Sequence, residues 1–327
     1  MVLIISYEED HSTNEVIKYL HVFGVKYIRL GIDQFINSFC ITIGKKIDTW
    51  FSIAGKKIYL DEIRCFWYRK HFIEITSQLK LNFTSDEIHL DSPQLTKYIL
   101  DELDSVREFL IHQLLKKAHV GNPVETNGNK LIAFSIAMEV GLETPTTTVS
   151  SNRNHLLNTF SRSSNLIVKS VEDGYFNSYN KTFVSAPYHM VSIKHFENKE
   201  DELFPSCLQE YLDKKIEIRI FYLKGKFWSM AIFSQSDSQT RLDFRNYNKE
   251  KPNRMVPYSL PTTVERKLKK FMNKMQLDTG SIDMVLTTDN KYIFLEVNPV
   301  GQYGMIAQSC NYNLDKFIAK LLTHDEK

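Results

Sequence analysis

Three oxygen-bearing side chains near the end of the chain, Asp283, Glu296 and Asn298, have the spacing of a small cation site. Glu296 and Asn298 end the apolar run IFLEVN, and residues two apart in a strand share a face. A tight two-residue turn at Asp289 and Asn290, which tolerate the left-handed conformation, would place Asp283 directly opposite Glu296. Two carboxylates so placed, with Cβ atoms about 5 Å apart, destabilise a sheet unless something neutralises them.

A bound cation would neutralise this acidic pair. The three side chains offer only hard oxygen donors, and this donor set suits Mg²⁺ better than zinc or copper. Mg²⁺ shares its coordination shell with waters and phosphates, so a site with few protein ligands predicts a nucleotide-bound metal. The alternative is that the acids are solvated and bind nothing, because a one-residue change in loop length would put them on opposite faces.

Two lysines could supply positive charge to the phosphates of such a nucleotide. Lys169 ends the apolar strand NLIVK, and Lys130 begins a predicted helix, where backbone N–H groups favour anions. Ordinary solvated or snorkelling lysines are the alternative at both positions.

A short segment of polar, aromatic and aliphatic residues precedes the strand KKIEIRI. Its residues are Gln209, Glu210, Tyr211 and Leu212. An adenine could stack on this edge and bond to its backbone groups, although an ordinary strand start would look the same.

Three arginines, Arg219, Arg241 and Arg245, lie on or near a predicted hairpin. A guanidinium fork binds carboxylate or phosphate bidentately, so these side chains could hold an acidic substrate or the transferred phosphate. The segment RLDFRNY places Arg241 and Arg245 around Asp243. Surface salt bridges with Asp243 and Glu217 are the alternative.

The elements that must position these side chains follow from the pattern of apolar residues. The segments VLIISYEED, HSTNEVIKYLHVFG and VKYIRLG indicate strand, helix and strand, which predicts a parallel sheet covered by helices. Gly, Asn and Pro cluster in HVGNPVETNGNK and mark the first domain boundary. We therefore predict an α/β chain with α+β lobes and domains at residues 1–120, 121–205 and 206–327, the last with hairpins around KG and DN turns.

Composition disfavours several classes of protein. The chain has 327 residues, enough for two or three packed units, and 43% of them are hydrophobic, which disfavours disorder. Lys and Arg number 41 against 39 Asp and Glu, so no broad basic face for nucleic acid is expected. The four cysteines form no C-x-x-C pair, and no apolar run has membrane-spanning length. We expect a cytoplasmic protein that binds neither nucleic acid nor membrane.

The common nucleotide-binding and hydrolase motifs are absent, including the P-loop, the dinucleotide-binding glycine motif, G-x-S-x-G and H-R-D. Instead, LIVK, QEYLDKKIEIRI, RLDFRNY, SIDMVL and LEVNPVGQYG resemble the ATP-grasp ligases in their order and spacing. FWYRK and EVNPVGQYG are similar to one branch of that family, the peptide maturases that make graspetides, including the microviridin-like and grasp-with-spasm types. The resemblance covers nearly the whole chain.

The resemblance implies an ATP-grasp fold with an N-terminal parallel-sheet pre-ATP-grasp domain, and ATP bound between the two following lobes. The implied nucleotide-binding residues are Lys130, Lys169, Gln209, Glu210, Tyr211, Leu212 and Glu217. The implied Mg²⁺ ligands are Asp283, Glu296 and Asn298. The implied catalytic residues are Arg219, Asp243 and Arg245. Glu217 stands where related ligases more often carry Asp in a D-x-R step, so it stays open whether EIR or DFR binds the substrate acid, and we favour DFR.

The implied reaction starts with a peptide side-chain carboxylate that attacks the γ-phosphate of ATP and forms an acyl phosphate. A Ser or Thr hydroxyl of the same peptide then displaces phosphate and closes an ester macrocycle, whereas a Lys amine gives an amide. The implied partner is a ribosomal precursor peptide with a leader and a core. A homodimer is compatible with the sequence, which does not fix the oligomeric state.

Two other functions stay open. An ATP-grasp ligase that adds amino acids to a protein or peptide tail would increase the mass of its acceptor, whereas macrocyclisation removes water. A nucleotide-binding scaffold without ligase chemistry belongs to a different class, because a fold does not itself prove a reaction.

Overall fold

The computed structural model describes residues 1–31, 36–69, 73, 75, 93–123, 129–161, 165–171, 175–177, 182–184, 189–197 and 200–323. The chain divides into two compact units. The first contains Met1–Val124 together with Asn313–Lys327, and the second contains Glu125–Tyr312. In the described part of the chain, no helix combines the length and the apolar character needed to cross a membrane.

Helices are interspersed with runs of consecutive strands along the described part of the chain. The described helices are α1 (His11–Val22), α2 (Pro93–Leu115), α3 (Lys130–Glu139), α4 (Arg153–Phe160), α5 (Lys194–Glu197), α6 (Thr262–Lys274), α7 (Gly304–Ser309) and α8 (Leu314–Thr323), with a 3₁₀ helix at Leu60–Glu62. The described strands are β1 (Val2–Ile5), β2 (Tyr27–Leu30), β3 (Ile36–Ile43), β4 (Ile47–Ile53), β5 (Lys56–Tyr59), β6 (Cys65–Tyr68), β7 (Ala118–Val120), β8 (Thr147–Asn152), β9 (Leu166–Lys169), β10 (Tyr175–Asn177), β11 (Thr182–Val184), β12 (His189–Val191), β13 (Glu202–Glu210), β14 (Lys214–Leu223), β15 (Lys226–Phe233), β16 (Arg254–Tyr258), β17 (Thr279–Thr287) and β18 (Tyr292–Asn298).

The first unit is built on a parallel sheet with the strand order β2-β1-β6-β7. All residues of β1 and β6 are buried, as is usual for the strands of a parallel sheet. The final helix, α8, contacts α1 and β6, although the sequence analysis assigned its residues to the third domain. A separate antiparallel sheet contains β3, β4 and β5. The predicted N-terminal parallel sheet is therefore confirmed.

The second unit contains two larger antiparallel sheets. One has the order β12-β9-β13-β8, with a small core between this sheet and α4. The other has the order β16-β15-β14-β17-β18, and β10 pairs with β11 apart from both. The division of this unit into lobes at residue 205 stays a prediction.

The five-stranded sheet has one apolar face, which α3 and α6 cover. On β14, Ile218 and Ile220 are two residues apart and both point into this core, which also contains Leu268 and Phe271 of α6. The residues of β14 that lie between these isoleucines must therefore face the other side of the sheet, where the polar side chains of the strand lie. The covered face supplies the hydrophobic stabilisation, and the other face is available for chemistry.

The hairpin of β17 and β18 departs from the predicted two-residue turn. The N–H of Thr287 donates to the carbonyl oxygen of Lys291 at 3.0 Å, which closes a three-residue loop with Asn290 at a φ of 64°. The predicted turn is therefore wrong. Farther along, Met284 pairs with Phe294 but Asp283 pairs with Glu296, so one extra residue is inserted as a bulge. The extra loop residue and the bulge cancel, and Asp283 faces Glu296 as predicted.

Candidate active site

A row of charged side chains crosses three adjacent strands of the five-stranded sheet. Arg219 on β14 lies opposite Asp283 on β17, and Asp283 lies opposite Glu296 on β18. Directly opposed residues of a sheet share a face, so the three side chains point to the same side. The row therefore places two carboxylates beside one guanidinium group.

The acidic pair has cations nearby but lacks hydrogen bonds. Arg219 Nε lies 3.6 Å from Asp283 Oδ1, and Lys130 Nζ lies 3.8 Å from Glu296 Oε2. Both of these carboxylate oxygens are buried without a hydrogen-bond partner among the described residues. Burial raises the pKa of Asp283 to about 6; Arg219 opposes this shift and the charge of Glu296 adds to it. Buried oxygens that lack donors are suited to a cation.

Asn298 ends β18 next to this row, and its amide oxygen accepts a hydrogen bond from the N–H of Val300 at 3.1 Å. The oxygen has a second lone pair with which it could bind a cation. The turn that follows needs Gly301, because a Cβ there would lie 2.4 Å from the Cβ of Ser281. Within the described ranges, no three His, Cys, Asp or Glu side chains form a metal cluster. Two carboxylates and one amide oxygen fit Mg²⁺ that is held partly by a phosphate ligand.

A cleft lies over the row and encloses about 710 Å³, part of it open to solvent. The predicted site residues that line it are Lys169, Gln209, Glu210, Tyr211, Leu212, Glu217, Arg219, Asp243, Arg245, Asp283 and Glu296. Lys130 and Asn298 are not among the lining residues, but both adjoin the acidic row.

Lys169 is the last residue of β9 and lies opposite Cys207 of β13. Burial lowers the pKa of Lys169; the charge of Glu296 opposes this shift, and that of Lys130 adds to it. Burial raises the pKa of the Cys207 thiol, which the lysine charges partly oppose. Two neighbouring ammonium groups near one carboxylate form a positively charged place for an anion.

Lys130 is the first residue of α3, and the helix end is already capped. The side chain of Asn129 accepts hydrogen bonds from the N–H groups of Leu131 and Ile132, at 3.0 and 3.2 Å. These backbone donors were expected to favour an anion, but Asn129 already occupies them. The ammonium group of Lys130, which α3 places against Glu296, is therefore the part that can meet a phosphate.

The segment from Gln209 to Leu212 borders the cleft. The buried side chain of Gln209 donates to Thr147 Oγ1 at 3.0 Å, so it is directed at β8. The N–H of Glu210 donates to Thr146, and that of Tyr211 to Asn165. The N–H of Leu212 has no partner within the described part of the chain.

Asp243 and Arg245 form a bidentate ion pair at the edge of the cleft. Arg245 Nε donates to Asp243 Oδ1 at 2.9 Å, and Nη2 donates to Oδ2 at 2.9 Å. Burial raises the pKa of Asp243, but the hydrogen bonds and charge of Arg245 outweigh it and lower the pKa overall. Phe244 lies between them in the chain, and its ring centroid is 5.9 Å from Arg219 Cζ. The segment thus brings an arginine and an aromatic ring beside the row.

Lys214 also lines the cleft, and sequence reasoning missed it. Strict alternation from Ile216 and Ile218 would direct Lys214 toward the apolar core. A bulge between Lys214 and Ile216 reverses this direction, and Lys214 Nζ instead lies 3.1 Å from Glu217 Oε1. The neighbouring glutamate was the only signal in the sequence. Apolar walls that were also missed come from Ile167, Leu242, Ile232, Met284, Val285 and Leu295.

Comparisons with known proteins identify the architecture. A RiPP-associated ATP-grasp ligase from Chryseobacterium gregarium, in complex with ADP and a leader and core peptide, matches with a TM-score of 0.80 and 23% identity, over 98% of this chain and 96% of that one. The macrocyclase MdnC from Microcystis aeruginosa MRC, bound with precursor peptide MdnA, matches with a TM-score of 0.75 and 24% identity, over 99% of both chains. The chain has the ATP-grasp fold.

Further comparisons concern the N-terminal domain and the whole chain. Residues 1–118 match the family model of the MvdD pre-ATP grasp domain. The ATP-grasp ligase PsnB, complexed with minimal precursor, Mg and ADP, matches with a TM-score of 0.72 and 14% identity, over 98% of this chain and 96% of that one. None of the curated proteins matches. The predicted fold and the predicted resemblance to ATP-grasp peptide maturases are confirmed, and the expectation of an ATP-dependent ligase agrees with these matches.

Proposed function

We propose that this protein is an ATP-dependent peptide macrocyclase. It would activate Asp or Glu side chains of a ribosomal precursor peptide as acyl phosphates and join them to Ser or Thr hydroxyls as esters, or to Lys amines as amides. The observation that carries the proposal is that most of the predicted nucleotide, metal and substrate residues line one cleft, and that Lys130 and Asn298 adjoin its acidic row. Similar proteins complexed with ADP and with leader, core or precursor peptides support it.

The nucleotide would lie along the cleft with its base against the backbone of Leu212. The N–H of Leu212, which has no partner among the described residues, could donate to the adenine. Ile167, Ile232 and Leu295 supply apolar walls for the ring. Lys130 and Lys169 would meet the phosphates. Their charges lie at the end of the cleft that holds Glu296, so the phosphates and the acidic row would meet there.

Asp283, Glu296 and Asn298 would hold Mg²⁺, which when bound neutralises phosphate oxygens and the opposed carboxylates. The buried oxygens without hydrogen bonds support this assignment. The partial shell of protein ligands leaves positions for phosphate oxygens, in agreement with the Mg and ADP of the PsnB complex. Arg219, beside Asp283, is placed to stabilise charge on the transferred phosphoryl group.

The substrate acid would bind near Arg245 and Asp243. A carboxylate oxygen of the peptide attacks the γ-phosphorus, and the bond to the bridging oxygen of ADP breaks. The hydroxyl or amine of the second side chain then attacks the acyl carbon and loses its proton, and phosphate leaves. The chain supplies charge and position for both steps, which is the main requirement of phosphoryl transfer. We expect the reaction in the cytoplasm, as the reduced cysteines suggest.

Intact mass decides between this function and the addition of amino acids to a peptide tail. The purified protein is incubated with MgATP and each short Thr- and Glu-rich peptide encoded beside its gene, and ADP and peptide mass are measured. Macrocyclisation predicts ADP release and the loss of one water mass per ring. A mass gain would support the tail-adding ligase instead. ATP binding without any peptide-dependent ADP release would support the non-catalytic scaffold.

A further inference from the structure

The loop at residues 234–253 joins β15 to β16 and carries Asp243 and Arg245 to the cleft. Many of the hydrogen bonds that order this loop join residues of the loop itself. Asp237 accepts hydrogen bonds from the N–H of Gln239 and from the side chain of Asn248, at 2.9 and 2.7 Å. Internal bonds fix the shape of a loop but not its position over a sheet. Its position depends on bonds to the strands beneath it.

Two side chains of β14, Lys214 and Glu217, fasten this loop close to Asp243. Lys214 Nζ donates to the carbonyl oxygen of Leu242 at 3.0 Å, one residue before Asp243. Thr240 Oγ1 donates to the carbonyl oxygen of Ser234 at 2.9 Å, and Ser234 Oγ donates to Glu217 Oε1 at 2.6 Å. The bond from the ammonium group of Lys214 and the bond to the carboxylate of Glu217 are both charge-assisted, and only the first holds the main chain next to Asp243.

Lys214 and Glu217 are a buried ion pair, each with only 8% of its surface exposed. Such pairs are poor devices for stability, because well-packed apolar residues usually serve as well. Burial raises the pKa of Glu217, and the charge of Lys214 opposes this shift. The bulge beside Lys214 directs its ammonium group away from the core and toward the loop. A costly pair at a bulge, bonded to the main chain of a cleft loop, indicates a role in positioning.

We propose that Lys214 is a positioning residue that, held by Glu217, fixes the main chain at Leu242 and so keeps Asp243 and Arg245 over the cleft. The inference rests on the proposed function in one respect only, namely that Asp243 and Arg245 bind the substrate carboxylate. Glu217, which the sequence analysis placed among the nucleotide-binding residues, here acts through Lys214 and Ser234.

Limited digestion with trypsin tests this role without a substrate. The loop contains exposed cleavage sites at Arg241, Arg245 and Lys249. Loss of the charge-assisted bond in Lys214→Met should speed cleavage at these sites by about tenfold or more. Lys214→Arg, which keeps the charge and the donors, should restore most of the protection. Lys215→Met is the matched control, because Lys215 is exposed and bonds only to Asn290 among the described residues.

A second variant keeps the test decisive if Lys214→Met folds poorly because Glu217 becomes an unpaired buried acid. Lys214→Met/Glu217→Gln removes both charges, so its thermal midpoint should stay close to that of the unmodified protein. Faster cleavage confined to the loop in this variant supports the proposal. Unchanged loop cleavage, or faster cleavage throughout the chain, overturns it.

The catalytic assay separates positioning from direct nucleotide contact. With the precursor peptide that supports ADP release by the unmodified protein, Lys214→Met should raise KM for the peptide or lower kcat by about tenfold. Affinity for MgADP should change less than about twofold, because no nucleotide contact is removed. An equal loss of MgADP affinity would overturn the proposal. If no peptide supports ADP release, the proposed function fails while the digestion result still decides the role of Lys214.

Discussion

The two hairpins of the five-stranded sheet are built by different rules. β14 and β15 meet at Lys224 and Gly225, both with positive φ, and pair without interruption from Leu223 and Lys226 onward. β17 and β18 meet at a three-residue loop and contain a bulge at Leu295. The first hairpin is regular because a two-residue turn matches the twist of its strands. The second changes which face its side chains occupy.

This difference separates structural support from chemistry. In a regular strand, Phe294 and Glu296 would share a face, because they are two residues apart. The bulge sends Phe294 into the apolar core, where it is fully buried, and Glu296 into the cleft. The bulge beside Lys214 does the same for that lysine. In this sheet, irregular pairing directs charged groups to the cleft.

Glu296→Gln should give the largest effect, because it removes the charge that the bulge directs to the cleft. We expect peptide-dependent ADP release to fall by at least about 100-fold, since an uncharged amide binds Mg²⁺ and balances Lys130 poorly. Circular dichroism and the thermal midpoint should show a folded protein. Glu139→Gln is the control, because Glu139 forms only a surface pair with Lys274 among the described residues. Unchanged ADP release in Glu296→Gln would remove the metal assignment.

Gly301→Ala should disturb the end of β18. The added Cβ would lie 2.4 Å from Ser281 Cβ and 3.0 Å from the carbonyl oxygen of Asn298, so backbone must shift. We expect a loss of about 2 kcal/mol in the free energy of unfolding, measured with urea, together with weaker MgADP binding. Gly44→Ala is the control, since a Cβ there meets no atom within 4 Å. Equal stability of the two variants would mean that the turn after Asn298 relaxes freely.

Asp283→Asn should change how stability depends on pH in the nucleotide-free protein. Burial raises the pKa of Asp283 from 3.8 to about 6, so the folded state binds the proton more tightly than the unfolded state does. The stability that this group contributes is complete below the unfolded pKa and is lost as pH rises through the folded pKa. As the pH rises from about 4 to about 7, the thermal midpoint of the variant should therefore rise by a few degrees relative to that of the unmodified protein. A difference that is constant across this range would contradict the assignment.

The two hairpin turns should respond weakly and differently to substitution. Gly225→Ala forces a side chain into a φ of 85° and should reduce the free energy of unfolding by about 1 kcal/mol. Asn290→Gly, at a φ of 64° in the irregular hairpin, should change it by less than about 0.5 kcal/mol. Urea unfolding measures both, and MgADP affinity should stay unchanged. A weaker affinity in Gly225→Ala would show that the regular hairpin also shapes the site.

Periodicity predicted the regular parts of the site and not the irregular ones. The face of Glu217 and Arg219 follows from alternation along β14, and the motifs that resemble ATP-grasp ligases pointed to residues that line one cleft. The pairing of Asp283 with Glu296 was predicted from a turn that does not exist, and a bulge restored it. Lys214 was missed for the related reason that a bulge reverses alternation. Pattern rules assume an uninterrupted ladder, whereas bulges depend on packing that a single sequence does not reveal.

The first unit takes its last helix from the far end of the chain. α8 places Leu314, Ile318 and Leu322 in a buried interface of that unit, where it contacts α1. The larger unit is therefore inserted between two pieces of the smaller one. A fragment that ends at residue 124 would lack α8, and the apolar surface of α1 that α8 covers would be exposed. Deletion of α8 alone should therefore destabilise the N-terminal part of the chain.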